Sequence, residues 1–443
     1  MKGGYSVTLL LGLLGTLAAA DAEKVKAKAE KGSADGLAYE EIQKVQLYTD
    51  NATAPSHQSP PVEGWWDSKI CSGSYCVYTN RRLNKGRGIA AVTRPDEFAK
   101  LERLEEHLDR GENKYHDDPV PFTETEVLNK GLGLTANKSI RRGRPLMSWS
   151  PILLVHKSPF DEVPKKKDRT RLLEAAASFL PPDTLATFNK FMRPASPTDG
   201  KQTSIEALLH AHPFEIDLGY ATPRMYNPAT GDDEQAGNQP HSKHFAVYPE
   251  AARLQHDCRA NVAYYIDRSF SLRTTVARKV QAGEELTVSY VDPFMDRKER
   301  ETWVARYRGK EGDKKCPCQA CSPSGGESKA KKGDKRLKEI LEIRKELRNH
   351  DSVKPTVPMI ERFVKLCEEE RLHAKMAEAY ELAALNFNYL GEDKKAKKYA
   401  ELAVQAGIVE GGTESNDVVA MRIMAKDVKG HYSYRFTLNR RGL

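Results

Sequence analysis

The alternation of apolar and polar residues is clearest between residues 261 and 280, which read NVAYYIDRSFSLRTTVARKV. An apolar residue at every second position is typical of a strand with one buried face, and the Asp-Arg-Ser segment at 267–269 interrupts the alternation. This pattern predicts two strands joined by a turn. The earlier stretch GLGLTANKSIRRGRPLMSWSPILLV has two short strand-like segments on either side of RRGRP, and it predicts a further β-hairpin.

A longer apolar period replaces the alternation in two other parts of the chain. Between about residues 160 and 215, TRLLEAAASFLPPDTLATFNKFM and SIEALLHAHPF place apolar residues three and four positions apart. That spacing predicts a helical insertion among the strands. Helical spacing also dominates residues 337–443. Strands and helices that occupy separate segments predict an α+β fold built of small sheets.

The last hundred residues carry apolar stripes at helical spacing. The stripe positions and the residues spaced like a tetratricopeptide helix pair are Leu337, Ile340, Leu341, Leu347, Ile360, Phe363, Val364, Cys367, Ala384, Phe387, Gly391, Ala396 and Ala403. We therefore predict an α-helical, tetratricopeptide-like domain over 337–443, preceded by a linker over 323–336 rich in Gly, Ser and Lys. The basic run in that linker is typical either of a nuclear signal or of a solvated tether.

The N-terminal segment MKGGYSVTLLLGLLGTLAAADAEK places one lysine before an apolar run and small residues after it. This arrangement is typical of a secretory signal peptide over residues 1–20, and the run is too short to span a bilayer. A frayed apolar helix is the alternative. Residues 21–64 are rich in Lys, Ala and Glu and end in a Pro-rich stretch, which predicts a flexible leader.

Composition narrows the class of protein. The chain has 443 residues, 39% of them hydrophobic, which predicts about three domains with buried cores. Its 70 Lys and Arg residues face 62 Asp and Glu residues, for a formal charge of +8. Because these charges are mixed along the chain, they do not predict a basic stripe for a phosphate backbone. We expect no direct nucleic-acid binding and no membrane span.

Two glycine motifs echo each other: NKGRGIAAVTRPDEF at 84–98 and NKGLGLTANKSIRRG at 129–143. Each gives Asn-Lys-Gly-x-Gly followed by a branched residue and an apolar run. A single such motif indicates only a turn in which the backbone needs glycine.

Cysteine spacing indicates a metal site. CPCQAC at 316–321 brings three thiols into one turn, which suits three of the four positions around zinc. Cys258 is the best candidate for the fourth ligand, so the predicted zinc ligands are Cys258, Cys316, Cys318 and Cys321. Cys367 lies in an apolar helical stripe and is expected to be a core residue.

The ordered motifs QHDCRAN, GEELTVSYVDPFMDRKERETW and CPCQAC, after an N-terminal G-x-G, resemble the SET domain of protein lysine methyltransferases. The resemblance is closest to SMYD-like SET proteins of fungi. It covers roughly residues 70–322, within a predicted domain at 65–322 that ends in a post-SET zinc cluster at 316–321. No MYND zinc module interrupts the segments.

The resemblance implies S-adenosylmethionine and zinc as cofactors and lysine methylation as the activity. By resemblance, Lys130, Gly131, Leu132, Gly133, Gln255, His256 and Tyr290 contact the methyl donor, and Tyr290 is the catalytic tyrosine. The substrate would be a protein with an accessible lysine, a histone or another protein. The helical C-terminal domain would form one wall of the substrate cleft or dock a partner.

Two residues depart from the family pattern: Gln255 replaces an asparagine, and Ala260 replaces a proline. They leave open a second interpretation, a catalytically weak or inactive interaction module. The compartment has two interpretations as well. The signal sequence and the close pair Cys71 and Cys76, suited to a disulfide, favour the secretory pathway, whereas a thiolate zinc site and a methyltransferase cofactor favour the nucleus or cytoplasm.

Overall fold

The computed structural model describes residues 64–128, 130–192, 204–211, 214–218, 243–308, 316–322 and 326–442. The chain divides into two compact units, Met1–His57 and Gln58–Leu443. All of the described residues belong to the second unit. The predicted signal peptide over 1–20 lies outside the described residues, as does nearly all of the predicted leader.

Short strands occupy the first two thirds of the described chain. They are β1 (Trp66–Ser72), β2 (Tyr75–Asn80), β3 (Ile89–Thr93), β4 (Lys114–Tyr115), β5 (Phe122–Val127), β6 (Gly131–Ala136), β7 (Pro145–Trp149), β8 (Leu153–His156), β9 (Glu215–Asp217), β10 (Lys243–Val247), β11 (Gln255–His256), β12 (Val262–Ile266), β13 (Leu272–Val276) and β14 (Glu285–Val288).

Helices lie between the strands and form the C-terminal third. They are α1 (Leu83–Gly86), α2 (Pro95–Arg103), α3 (Glu105–Leu108), α4 (Pro159–Glu162), α5 (Lys166–Ser178), α6 (Pro182–Met192), α7 (Ile205–Ala211), α8 (Arg297–Arg308), α9 (Gly326–Arg348), α10 (Val357–Glu369), α11 (Met376–Tyr389), α12 (Asp393–Gly411), α13 (Asn416–Lys426) and α14 (Phe436–Arg440). Short 3₁₀ turns at Ala251–Arg253 and His373–Lys375 precede β11 and α11.

The strands form three sheets, which agrees with the α+β class predicted from the sequence. Their strand orders are β1-β2-β3-β8-β10-β9, β11-β14-β6-β5 and β12-β13-β7-β4. Most neighbours are antiparallel, but β3 pairs with β8, and β11 with β14, in parallel. One core lies among the three sheets, and a second lies between the six-stranded sheet and the helices α5 and α6 of the insertion.

The hairpin predicted over residues 261–280 is confirmed. Strands β12 and β13 pair in antiparallel register from Val262↔Val276 to Ile266↔Leu272. Asp267 stabilises the turn, because its Oδ1 accepts hydrogen bonds from the backbone N–H groups of Ser269 and Ser271. This is the local chemistry that favours aspartate in turns.

The hairpin predicted around RRGRP is wrong. Strand β6 pairs with β5 and β14, whereas β7 pairs with β13 and β4, so the two apolar runs belong to different sheets. The connecting segment crosses between the sheets, where Ile140 bridges Val280. Both arrangements place the same polar residues in a turn, so only the distant partners β13 and β14 decide between them.

The C-terminal helices pack around their own apolar core, which contains Phe363, Phe387 and Cys367. The thiol of Cys367 is fully buried there, as its position in the stripe predicted. Gly391, between α11 and α12, has a φ of 69°, which favours glycine at this turn. The tetratricopeptide-like assignment of these helices stays a prediction.

The linker predicted over residues 323–336 is helical from Gly326 onward, as the first part of α9. Lysine, alanine and glutamate are good helix formers, and here tertiary contacts add to that propensity. Ala330 is buried, and a Cβ on Gly333 would lie 3.3 Å from Oε1 of Glu370. The Lys-rich segment is therefore part of the folded helical region.

Cys71 and Cys76 form a disulfide across the β1–β2 hairpin, where they face each other in the strand register. This pairing agrees with their close spacing in the sequence. Among the described helices, none is both long enough and apolar enough to cross a membrane.

Candidate active site

One small sheet brings the predicted site segments together. Strand β14 lies between β6 and β11, with Leu286 opposite Leu134 on one side and Gln255 beside Thr287 on the other. The chain leaves β14 at Val288 and reaches Tyr290 two residues later. The glycine turn, the Gln255–His256 segment and Tyr290, which are far apart in the sequence, are therefore neighbours in the fold.

The glycine turn contacts both of its neighbours directly. Nε2 of Gln255 donates a 2.7 Å hydrogen bond to the carbonyl oxygen of Leu132, and Nζ of Lys130 lies 2.7 Å from Oε2 of Glu285. A Cβ on Gly133 would lie 2.8 Å from Cγ2 of Val127, so glycine is required there for close packing. The extra methylene of Gln255, compared with asparagine, carries its amide as far as β6.

A carboxylate oxygen beside this turn has no hydrogen-bond partner within the described residues. It is Oε1 of Glu285, which is buried, while the second oxygen of the same carboxylate pairs with Lys130. A buried acceptor without a partner is costly, and it is often satisfied by a ligand or water. Oε1 of Glu285, beside the glycine turn, is therefore an acceptor that a bound molecule could use.

His256 connects the Tyr290 segment to the cysteines. Its Nδ1 accepts a 3.0 Å hydrogen bond from the backbone N–H of Tyr290, and its Nε2 lies 3.2 Å from Sγ of Cys258. Because Nδ1 is the acceptor, Nε2 carries the proton and donates to sulfur. Burial lowers the pKa of His256 to about 4, so the ring is neutral near pH 7. The imidazole side chain is thus committed to protein contacts.

Tyr290 is held by its hydroxyl. That hydroxyl donates a 2.9 Å hydrogen bond to the carbonyl oxygen of Leu254, and the ring centroid lies 5.4 Å from that of His256. Burial raises the pKa of Tyr290 well above its ordinary value, so the side chain remains a neutral phenol. A neutral phenol can both donate and accept hydrogen bonds.

Two cavities are lined by residues at or next to the two ends of the Tyr290–Leu254 hydrogen bond: Tyr290 lines one and Arg253 lines the other. The first, which we call the Tyr290 cavity, has a volume of about 490 Å³, and its walls come from the segment around Tyr290 and from the helical C-terminal region. The second, which we call the Arg253 cavity, has a volume of about 340 Å³ and is lined by Leu134, Arg253 and part of α6. Lys130–Gly133, Gln255 and His256 line neither of these two cavities.

The four cysteines predicted to share a metal come together. The sulfurs of Cys258, Cys316, Cys318 and Cys321 all lie within 4.8 Å of one another, and all four side chains are buried. Sγ of Cys258 is 3.6 Å from Sγ of Cys321, too far for a disulfide and close to the sulfur separation of about 3.8 Å that tetrahedral zinc with 2.3 Å bonds requires. The donor set and its spacing fit a zinc ion.

The electrostatics of this thiol cluster also favour a cation. The hydrogen bond to Cys316 raises the pKa of Cys258, whereas a hydrogen bond from Cys258 lowers that of Cys318. The thiols therefore cannot all deprotonate without a positive charge among them. The guanidinium of Arg300, 2% exposed, lies at one side with Nη2 3.9 Å from Sγ of Cys321.

The sequence analysis missed a buried ion network beside the thiol cluster. Arg259, the neighbour of Cys258, makes 2.8 and 3.2 Å hydrogen bonds to Oε1 of Glu370 and donates to the carbonyl oxygens of Cys258 and Pro293. Arg336 of α9 binds the other oxygen of Glu370 at 2.7 Å. The arginine in the QHDCRAN motif was the sequence signal for this network. It could not identify the partner, because Glu370 lies 111 residues away.

The loop that carries Ala260 in place of proline is fixed by other contacts. Nδ2 of Asn261 donates a 2.7 Å hydrogen bond to the carbonyl oxygen of Glu285, and its Oδ1 accepts from the backbone N–H of Thr287 at 2.9 Å. Oδ1 of Asp257 accepts from the backbone N–H of Arg259 at 2.8 Å. These bonds supply the rigidity that proline would have given.

Comparisons with known proteins identify a part of this chain. The SET domain family model matches residues 131–291. The histone-lysine N-methyltransferase set5 of Schizosaccharomyces pombe is 21% identical over 314 residues, which cover 69% of this chain and 83% of the relative. A solved structure of Rubisco LSMT bound to AdoMet aligns with 79% of this chain and 91% of its own, at 13% identity and a TM-score of 0.22. Residues 131–291 are therefore a SET domain, and the chain is similar over most of its length to a SET-domain histone-lysine methyltransferase.

Proposed function

We propose that the protein transfers a methyl group from S-adenosylmethionine to a lysine side chain of a protein substrate. The observation that carries the proposal is the position of Tyr290. It lines one cavity, and its hydroxyl binds the residue next to Arg253, which lines the other. A methyl donor in the Arg253 cavity and a lysine in the Tyr290 cavity would meet beside this hydroxyl.

The lining of the Arg253 cavity has chemistry that suits S-adenosylmethionine. Glu124 offers a carboxylate for a cationic group, and Lys190 and Arg253, each 3.9 Å from it, offer positive charge for a carboxylate. Both oxygens of Glu250 are already bound by Arg87. Aromatic side chains, including Phe191, offer faces for a base. When bound, the cofactor supplies an activated methyl group. We assign its contacts to this cavity together with the adjoining Lys130–Gly133 turn, Gln255 and the backbone at His256.

The chain's own residues supply position and environment. The Tyr290 hydroxyl is fixed by Leu254, so its oxygen can accept polarised C–H bonds and orient the reacting methyl group. The Tyr290 cavity, which Tyr264 also lines, surrounds the incoming side chain. Removing water from an ammonium group lowers its pKa, which favours the neutral amine that methyl transfer requires.

The thiol cluster has a structural role in this proposal. A zinc ion held by Cys258, Cys316, Cys318 and Cys321 would join the QHDC loop to the segment at 316–321. The hydrogen bonds from Cys258 through His256 to the backbone of Tyr290 then transmit that rigidity to the catalytic tyrosine.

Replacement of Tyr290 by phenylalanine tests the function. Tyr290→Phe removes the hydroxyl and keeps the ring, so we expect cofactor affinity within a few-fold of wild type and a turnover lower by roughly two to four orders of magnitude. The assay uses labelled S-adenosylmethionine with a lysate and a peptide library as acceptors, at matched zinc content.

A tyrosine outside both cavities is the matched control. Tyr432 is 72% exposed, and Tyr432→Phe should retain full activity. Equal turnover of Tyr290→Phe and wild type would remove the hydroxyl from the mechanism. No labelling by wild type in any acceptor pool would contradict the enzymatic function and support an interaction module instead.

A further inference from the structure

The wall of the Tyr290 cavity opposite the SET domain carries positive charge. Arg371 and Lys375 line it from the connection between α10 and α11, and both side chains are exposed. Arg142, from the turn before β7, is exposed nearby. We call Arg142, Arg371 and Lys375 the basic rim. Within the described ranges, none of the three forms an ion pair.

His373 shows that these charges act on one small region. It lines the same cavity, and burial, followed by the positive charges of Arg278, Arg371 and Arg142, lowers its pKa to about 4. Arg278 has its own carboxylate partner, Glu284. Arg371 and Arg142 are therefore the charges acting on His373 that have no ion pair among the described residues.

The other two arginines of the cavity are already neutralised. Arg259 pairs with Glu370, and Arg344 binds both carboxylate oxygens of Glu378 at 2.7 Å while lying 4.2 Å from the ring centroid of Phe294. These residues build the wall. Arg371 and Lys375 differ from them because they face the cavity without such a partner among the described residues.

Arg371 occupies a backbone position that usually belongs to glycine. It follows the end of α10 with a φ of 60°, in the left-handed region, and its N–H bonds to the carbonyl oxygen of Glu368. Glycine fills this place after a helix at the least steric cost. An arginine here presents a cation where the fold alone would favour a glycine.

The Tyr290 cavity also contains acidic side chains. Asp292 lies on the SET-domain side, two residues after Tyr290, and its Oδ1 also accepts from the backbone N–H of Phe294. Glu410 accepts from the backbone N–H of Ala377, and burial raises its pKa to about 7. The SET-domain side thus carries Asp292 near Tyr290, whereas the helical wall carries the exposed cations Arg371 and Lys375 together with the buried carboxyl group of Glu410.

We propose that the Tyr290 cavity selects protein substrates in which acidic residues flank the target lysine. The lysine would enter on the side of Tyr290 and Asp292, and the acidic flank would bind Arg371 and Lys375, with Arg142 adding to the attraction. The inference rests on the proposed function. It predicts that lysines in strongly basic segments are poor substrates, because the basic residues around them would be repelled by the basic rim.

The test compares three peptides of equal length with a single central lysine and two flanking residues that are both Glu, both Gln or both Arg. For wild type at physiological salt we expect a kcat/KM about three- to tenfold higher for the Glu peptide than for the Gln peptide, mainly through KM, and a lower value for the Arg peptide. Equal values for the three peptides would overturn the inference.

Charge reversal then locates the effect. In the double variant Arg371→Glu with Lys375→Glu the order of the peptides should invert. The matched control, Lys394→Glu with Lys397→Glu, changes two exposed lysines of α12 that do not line the cavity, and it should keep the wild-type order. An unchanged order in the first variant contradicts the assignment. If that variant melts early, Arg371→Gln with Lys375→Gln should abolish the preference instead.

A binding measurement separates this inference from the proposed function. Fluorescence anisotropy with labelled peptides that carry norleucine in place of lysine needs no methyl transfer. A preference for the Glu peptide without any transfer supports the inference and contradicts the enzymatic function, whereas transfer without a preference does the reverse. A duplex DNA oligomer that displaces the Glu peptide at a lower concentration than the unlabelled peptide itself would overturn the acidic-peptide assignment in favour of nucleic acid.

Discussion

The two groups of neighbouring cysteines in this protein differ in the distance along the chain that they bridge. The Cys71–Cys76 disulfide closes a separation of 5 residues on a hairpin whose strands already pair, while the thiol cluster joins Cys258 to Cys321, 63 residues away. The entropy that a cross-link removes from the unfolded chain grows with loop length, from about 2 kcal/mol for so short a loop to about 4 kcal/mol for the longer one. The disulfide links strands at the edge of a sheet, whereas a metal held by the thiol cluster would link the segments around the proposed active site.

Breaking the thiol cluster should have the largest effect. Cys258→Ser removes one of four sulfurs and the acceptor for His256, so we expect loss of about one zinc per chain and a parallel loss of cofactor binding. Metal analysis and calorimetric titration with S-adenosylmethionine measure the two. The control is Cys367→Ser, in the helical core and outside the cluster, which should keep its zinc. Unchanged metal content in Cys258→Ser would refute the ligand assignment.

Breaking the ion network beside the cluster should have the next largest effect. Glu370→Ala leaves the buried guanidinium of Arg259 without its partner, and removal of one member of a buried pair costs about 3–5 kcal/mol of unfolding free energy. The adjacent Glu369 pairs with Lys365 at 3.9 Å on the surface, so Glu369→Ala should cost less than about 1 kcal/mol. Urea denaturation measures both, and equal losses would show that the network adds no stability.

Removal of the disulfide should have the smallest effect. Cys71→Ser with Cys76→Ser should cost about 2 kcal/mol and leave zinc content and methyl transfer unchanged, because β1 lies in a different sheet from Tyr290. Two reagents should separate the contributions of the disulfide and the metal. A phosphine reductant should lower the melting temperature of wild type but not of the double variant, whereas a zinc chelator should lower the melting temperature of both. A double variant that loses activity would connect the hairpin to the site.

Sequence reasoning succeeded where a signal repeats locally or where motifs occur in a fixed order. The alternation at 261–280 gave a correct hairpin, and the cysteine spacing predicted that Cys258 would join Cys316, Cys318 and Cys321, which the structure brings together. It failed at RRGRP and at the lysine-rich segment that forms the start of α9. In both places the local pattern was compatible with two states, and contacts with β13, β14 and Glu370 selected one of them.

The sequence by itself determined the α+β class, the order of the SET motifs and the identity of the residues that gather around β14. Those features depend on residue type and on spacing along the chain, which the sequence contains directly. Only the tertiary structure decided that Glu370 would neutralise Arg259, and that Tyr290, Arg371 and Lys375 would line the same cavity. Ion pairs and cavities form between segments more than a hundred residues apart, and their energies depend on burial and distance that no local pattern specifies.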